Sequence, residues 1–230
     1  MLTLDDVTLA KGDFRLRADM AMPTGLTAVI GPSGGGKSTL LAAIAGFEAP
    51  ASGRILWNGA DLSGEPPGAR PVTMLFQDHN LFPHLTVAQN VGLALAHRLR
   101  LTRDQTDRVE EVLASVGLAG LGGRKPAALS GGQAGRAALA RTLLADRPVV
   151  LLDEAFAALG PALRAEMLAL VRDRLVVGQG RTVIVVTHDP QDARSFADRV
   201  IFVGEGVAQP PLDTAPFFDR PTEAVRAYLG

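Results

Sequence analysis

The chain of 230 residues contains no cysteine. That removes disulfide cross-links, thiolate-bound zinc and cysteine nucleophiles together, and it fits a reducing compartment. There is no excess of either charge: 23 Lys and Arg face 24 Asp and Glu, for a net −1. A general nucleic-acid surface is therefore not expected. Apolar stretches such as Val149-Val-Leu-Leu152 and Val183-Ile-Val-Val186 are strand-length, far short of the ~20 residues a membrane helix requires. The start, Met1-Leu-Thr-Leu-Asp-Asp6, lacks a basic segment followed by an apolar run, so no leader is expected. The expectation is a chain soluble in itself, held at a membrane only by a partner. No internal repeat, heptad array or low-complexity linker interrupts the sequence. With 47% hydrophobic and 20% charged residues, this is ordinary globular material, long enough for one large domain or a core with a subdomain.

Gly31-Pro-Ser-Gly-Gly-Gly-Lys-Ser-Thr39 follows G-x-x-x-x-G-K-[ST], the phosphate-binding P-loop. Glycines let the backbone curl until several N–H groups point at phosphate oxygens. The candidate phosphate site is thus Gly31, Pro32, Ser33, Gly34, Gly35, Gly36, Lys37, Ser38 and Thr39. Lys37 brings a charge to the β- and γ-phosphates, Ser38 offers a hydroxyl to Mg²⁺, and the helix that starts here adds its positive end. The flanks agree: Leu26–Ile30 reads as a buried strand and Leu40–Ala45 as helix. The motif alone says only that a nucleoside triphosphate is bound.

Around it, Leu2–Leu9 and Phe14–Met20 alternate as half-buried antiparallel strands, with the turn at Ala10–Asp13. Arg54–Asn58 and Val72–Phe76 read as strands, the first closed by Asn58-Gly59. Helical periodicity then takes over at Val87–Leu99, Asp104–Val116 and Gly131–Ala145. Strands return at Val149–Leu152, Arg181–Thr187 and Arg199–Val203, separated by helices over Pro161–Val177 and Gln191–Ala197. This predicts an α/β fold: a P-loop core with a mainly parallel sheet, an N-terminal antiparallel β subdomain and an inserted α-helical subdomain. A single domain over 1–230 is expected, with 1–77 and 146–230 as the core and 78–145 as the helical insertion.

Val149-Val-Leu-Leu-Asp153-Glu154 ends an apolar strand in two carboxylates. Such a strand delivers Asp153 to the carboxyl edge of the sheet, beside the P-loop, where ligands of open α/β sheets bind. Asp153 is the candidate Mg²⁺ holder and Glu154 the candidate general base. Leu129-Ser-Gly-Gly-Gln133 is the most specific stretch. Ser130 stands where a helix begins, and Gly131 and Gly132 leave backbone N–H groups free there. One γ-phosphate does not need two cradles from one domain, so the second is expected to face a nucleotide held by another copy.

Together the P-loop, Gln77 after a strand, Leu129–Gln133, the Leu-Leu-Asp-Glu strand and Thr187-His188 resemble, in order and over essentially the whole chain, the ATP-binding subunits of ATP-binding-cassette transporters. The resemblance implies an ATPase using ATP and Mg²⁺. It implies that Gln77 senses Mg²⁺ and the attacking water, that Ser38, Gln77 and Asp153 form the metal shell, and that Glu154 is the base. His188 would hold the γ-phosphate, and Ser130, Gly131, Gly132 and Gln133 would act in trans across a homodimer. An integral membrane permease would dock on 78–145, where Leu81-Phe-Pro-His-Leu85 is apolar; a periplasmic solute-binding protein would act indirectly, and no nucleic acid is expected. The subunit would be peripheral, on the cytoplasmic face of the inner membrane. Pro71–Gly92 and Pro161–Leu170 are similar to the thiamine-importer subgroup, which points to uptake of thiamine or its phosphates. Importers of iron, sulfate or polyamines are the alternatives, ahead of a cassette acting on nucleic acid or ribosomes.

Some positions depart from the family pattern. Where an aromatic residue usually stacks on adenine stand Ala10 and Lys11; Phe14 is the one aromatic before Gly31 that could serve, the alternative being a core strand residue. Ala155-Phe-Ala-Ala-Leu-Gly160 replaces Pro-Phe-Ser-Ala-Leu-Asp, so the Asp that organises contacts across the dimer is missing. Ala134-Gly135 replace polar residues after Gln133, while Arg136 is retained.

Overall fold

A computed structural model describes residues 1–78 and 80–230. The hairpin β1 (Leu2–Lys11) and β2 (Phe14–Met22) opens the chain. β3 (Gly25–Ile30) leads through the glycine-rich loop into α1 (Lys37–Ala45). β4 (Ser52–Trp57) and β5 (Ala60–Asp61) pair across Asn58-Gly59, and β6 (Val72–Leu75) follows. The helices α2 (Val87–Gly92), α3 (Arg103–Ser115) and α4 (Gly131–Leu144) come next. Alternation resumes with β7 (Val149–Asp153), α5 (Pro161–Val171), β8 (Thr182–Val186), α6 (Pro190–Phe196) and β9 (Arg199–Gly204). Short strands β10 (Val207–Ala208) and β11 (Leu212–Asp213) and helices α7 (Thr214–Asp219) and α8 (Glu223–Leu229) finish the chain.

Among the described residues the strand order is β5-β4-β1-β2-β10-β9-β3-β8-β7-β6, with β11 on β9. β3 runs parallel to β8 and β9, and β7 parallel to β8, whereas β1, β2, β4 and β5 are antiparallel. This is the α/β fold expected from the sequence. Two compact units share the chain: Met1–Met74 with Pro148–Glu154 and Leu168–Gly230, and Leu75–Arg147 with Ala155–Met167. The second unit thus contains Ala155–Met167 in addition to the stretch 78–145 read as helical; His79 lies outside the described residues.

In the first unit every residue of β3 and β8 is buried, and so is β7 up to Asp153. Continuous burial follows from parallel strands covered on both faces. β1 keeps its apolar side inward only by changing parity: Leu2 and Leu4 are buried, then Val7 and Leu9. A bulge between Leu4 and Val7, with Asp6 at φ 46°, supplies the extra residue. Leu4, Leu16, Leu41, Leu151, Ile184 and Ile201 belong to one apolar core. α1 stops at Gly46, whose left-handed φ of 90° ends the helix. Arg70, 1% exposed, closes that end: its Nη1 donates to the Ala43 and Ile44 carbonyls at 2.7 and 3.0 Å, and its Nε to the Glu65 carbonyl at 2.9 Å.

In the second unit α2, α3 and α4 each begin with a reciprocal capping box, Thr86–Gln89, Thr102–Gln105 and Ser130–Gln133. The helix expected over 87–99 ends at Gly92 instead. A Cβ on Gly92 would lie 2.8 Å from Leu101 Cδ1, and Leu99 turns the chain at φ 55°. The helix expected over 161–177 is α-helical to Val171 and continues as a π-helical turn over Arg172–Val177.

Candidate active site

Register within the first unit brings three strand ends to one edge. Val186 pairs with Val29 on one side and Asp153 on the other. The P-loop, Asp153-Glu154 and Thr187-His188 therefore leave the sheet side by side. Gly31 can only be glycine: its φ is 145°, and a Cβ would lie 2.0 Å from the Val203 carbonyl oxygen. Gly36 caps α1 at φ 103°, and Phe14 packs over it so closely that a Cβ would be 2.6 Å from Cζ. Lys37 is buried; its Nζ donates to the Gly31 and Pro32 carbonyls, both at 2.9 Å. Ser38 Oγ donates to Asp153 Oδ1 at 2.9 Å.

These groups shape each other's ionisation. Burial pushes the Asp153 carboxyl above its usual range; the Ser38 hydroxyl and the Lys37 ammonium oppose this, and the Glu154 charge adds to it. Burial pulls Lys37 down, with Glu154 and Asp153 pulling it back up. Glu154 sits at φ 48°, a left-handed conformation uncommon for a side chain without special capping, and its amide donates to the Val186 carbonyl at 3.3 Å. A cavity of about 330 Å³ opens here. Ser33, Gly34 and Gly36 line it from the loop, Lys37, Ser38 and Thr39 from the start of α1, Glu154 from just past β7, and Lys11 and Phe14 from the first hairpin. Phe14 thus touches both the core and the cavity.

His188 is exposed at the tip of a self-bonded turn. Thr187 Oγ1 donates to Asp192 Oδ2 at 2.8 Å, and the Asp189 amide donates to Thr187 Oγ1 at 3.1 Å. Gln77 and Ser130–Gln133 belong to the second unit. Gln77 is exposed in the turn after β6. Ser130 Oγ accepts from the Gln133 amide at 3.3 Å, and Gln133 Oε1 accepts from the Ser130 amide at 3.0 Å. Gly132 lets α4 approach Leu163, whose Cδ2 would be 2.6 Å from a Cβ there. Gly160 faces open space. Lys11, which the sequence places where the family's aromatic residue usually stands, lines the cavity rim, its Nζ paired with Glu48 at 3.1 Å. Sequence reasoning passed over Tyr228, whose only local signal is that it is the sole tyrosine of the chain.

A nucleotide cradle, paired carboxylates and a histidine on one edge of a parallel sheet define a P-loop nucleotide-hydrolysing domain. The family model for the ABC transporter matches residues 19–157, and the chain belongs to that family. It is 60% identical to the thiamine import ATP-binding protein ThiQ of Cereibacter sphaeroides and 54% identical to the protein of that name from Ruegeria sp., with all of each chain covered. Among solved structures, the dimeric ATP-binding cassette MJ0796 in a post-hydrolysis state bound to ADP and Pi superposes with a TM-score of 0.80 at 28% identity, covering 93% of this chain and 99% of that one.

Proposed function

We propose that this chain is the ATP-hydrolysing subunit of an importer on the cytoplasmic face of the inner membrane, and that the solute is thiamine or a thiamine phosphate. One observation carries the reading: a built P-loop with Ser38 on Asp153 at 2.9 Å, in a chain 60% identical end to end to a thiamine import ATP-binding protein. The chain is an ABC-type ATPase. Its loop amides and the N-terminus of α1 hold the phosphates. Lys37 exchanges the Gly31 and Pro32 carbonyls for phosphate oxygens. Ser38 and Asp153 present hard oxygens of the kind Mg²⁺ takes and would hold it beside the triphosphate. Among the described residues no group of three or more His, Cys, Asp or Glu could hold a metal alone, which fits a cation that arrives with its nucleotide. Once bound, the cation neutralises charge on the phosphates.

Glu154 takes the proton of the attacking water, His188 holds the γ-phosphate, and Gln77 senses metal and water. Phe14 and Lys11 receive the adenine. Two copies close head to tail, each lending Ser130, Gly131, Gly132 and Gln133 to the other's nucleotide; the dimeric solved cassette supports this. A membrane permease docks on the helical unit, and a solute-binding protein signals through it. Asn90, fully buried, pins the apolar loop before it, accepting from the Phe82 amide at 2.7 Å, while Phe82 remains 47% exposed. A fixed loop with an outward ring suits a docking surface. Reconstitution with permease and binding protein tests the reading: ATP turnover should rise with thiamine. Stimulation by iron, sulfate or a polyamine instead would reassign the solute.

A further inference from the structure

Tyr228 lies on α8, half-buried, its ring edge-on to Phe202 with centroids 5.7 Å apart. Phe202 is the β9 partner of Ile30, the residue that precedes Gly31. The phenol therefore stands at the sheet edge from which the P-loop and the His188 turn emerge. Its Oη donates to the His188 carbonyl at 3.5 Å and is set against the backbone of Gly31. Burial pushes the phenol up, the Gly31 backbone opposes this, and the Asp189 and Glu154 carboxylates push the same way as burial. The group is thus a neutral donor at ordinary pH, within the field of Glu154. The bonds among Thr187, Asp189 and Asp192 are internal to the His188 turn, and the Thr187 amide ties its start to the Val29 carbonyl at 3.3 Å. The phenol comes from an element 40 residues further on and adds an external contact at the His188 carbonyl itself.

We propose that Tyr228 is a positioning residue for hydrolysis: by holding the His188 carbonyl beside the start of the P-loop, it fixes the height from which His188 reaches the γ-phosphate, and it makes α8 part of the site. The proposal rests on the reading of His188 given above.

The test compares the full-length chain with Tyr228→Phe and His188→Ala. Phenylalanine keeps the ring on Phe202 and removes only the hydroxyl. Tyr228→Phe should leave the melting temperature and the KM for MgATP unchanged while kcat falls about fivefold, the size of one lost hydrogen bond. An unchanged kcat, or a kcat loss accompanied by a lower melting temperature and a raised KM, would overturn it. Full activity in His188→Ala would instead overturn the role of His188 itself. If Tyr228→Phe does not fold, the single tyrosine of the wild-type chain can be replaced with 3-fluorotyrosine, which gives one ¹⁹F line. That line should move when a non-hydrolysable ATP analogue saturates the chain; a line that stays in place refutes the proposal.

Discussion

Asp153 shows how a single carboxyl couples stability to function. Its folded pKa lies above the unfolded value, so the protonated form favours folding. That stabilisation is complete below the ordinary 3.8 and is lost as pH rises through the raised value. At neutral pH the ionised group is a net cost to the nucleotide-free chain. Asp153→Asn should therefore raise the melting temperature at about pH 7, with the gain shrinking as the pH approaches the ordinary carboxyl range, and should abolish MgATP turnover. Calorimetry across that range, paired with an ATPase assay, checks both halves; a variant no more stable than wild type at neutral pH would contradict the burial argument. Glu154→Gln separates binding from chemistry. It should retain ATP and the ATP-dependent dimer while turnover drops by roughly 10²–10⁴-fold, as read by equilibrium binding and phosphate release. The residues of this site were legible because their chemistry is written in contiguous motifs. Asp192 and Tyr228 were not: Asp192 accepts from Thr187 five residues before it with no motif to mark the pair, and Tyr228 acts through His188, 40 residues away.

At the scale of elements, the turn into the P-loop is the least forgiving. Gly31→Ala puts a Cβ 2.0 Å from the Val203 carbonyl in a left-handed conformation, so backbone must move. A loss of about 3 kcal/mol or more in urea unfolding is expected, together with loss of nucleotide binding; a stability loss under about 1 kcal/mol would mean that β9 yields easily. The buried strands β3, β7 and β8 were readable as continuous apolar runs, and the cap of α4 from Ser130. The parity change in β1 is visible as Leu2 and Leu4 followed by Val7 and Leu9, but only pairing shows that a bulge accounts for it. The end of α2 depends on Leu101 packing against Gly92, a contact that helical periodicity over 87–99 does not encode. β10 and β11 are two-residue strands, too short for any pattern; they exist because β9 offers them an edge.

For the whole molecule, the decisive question is whether hydrolysis needs two copies. Ser130→Arg alters the second unit only, leaving the first unit's cavity intact. It should keep ATP binding and lose hydrolysis, and mixing it with Glu154→Gln should restore one functional composite site in each mixed dimer; turnover equal to wild type in Ser130→Arg alone would mean that each chain is complete. Gly160 makes the degree of cooperation between the two nucleotides the property to measure in that mixture. One consequence reaches beyond any single contact. A helix ordinarily attracts anions at its start and repels them at its end, so its pull weakens quickly with distance. In α1 the guanidinium of Arg70 offsets the repelling end, about 13 Å from the loop. What remains is closer to a lone positive pole, whose reach is limited by dissolved salt to about 10 Å under ordinary conditions. Nucleotide capture should then be governed by ionic strength through the rate of arrival, with the rate of departure set by the contacts in the cavity.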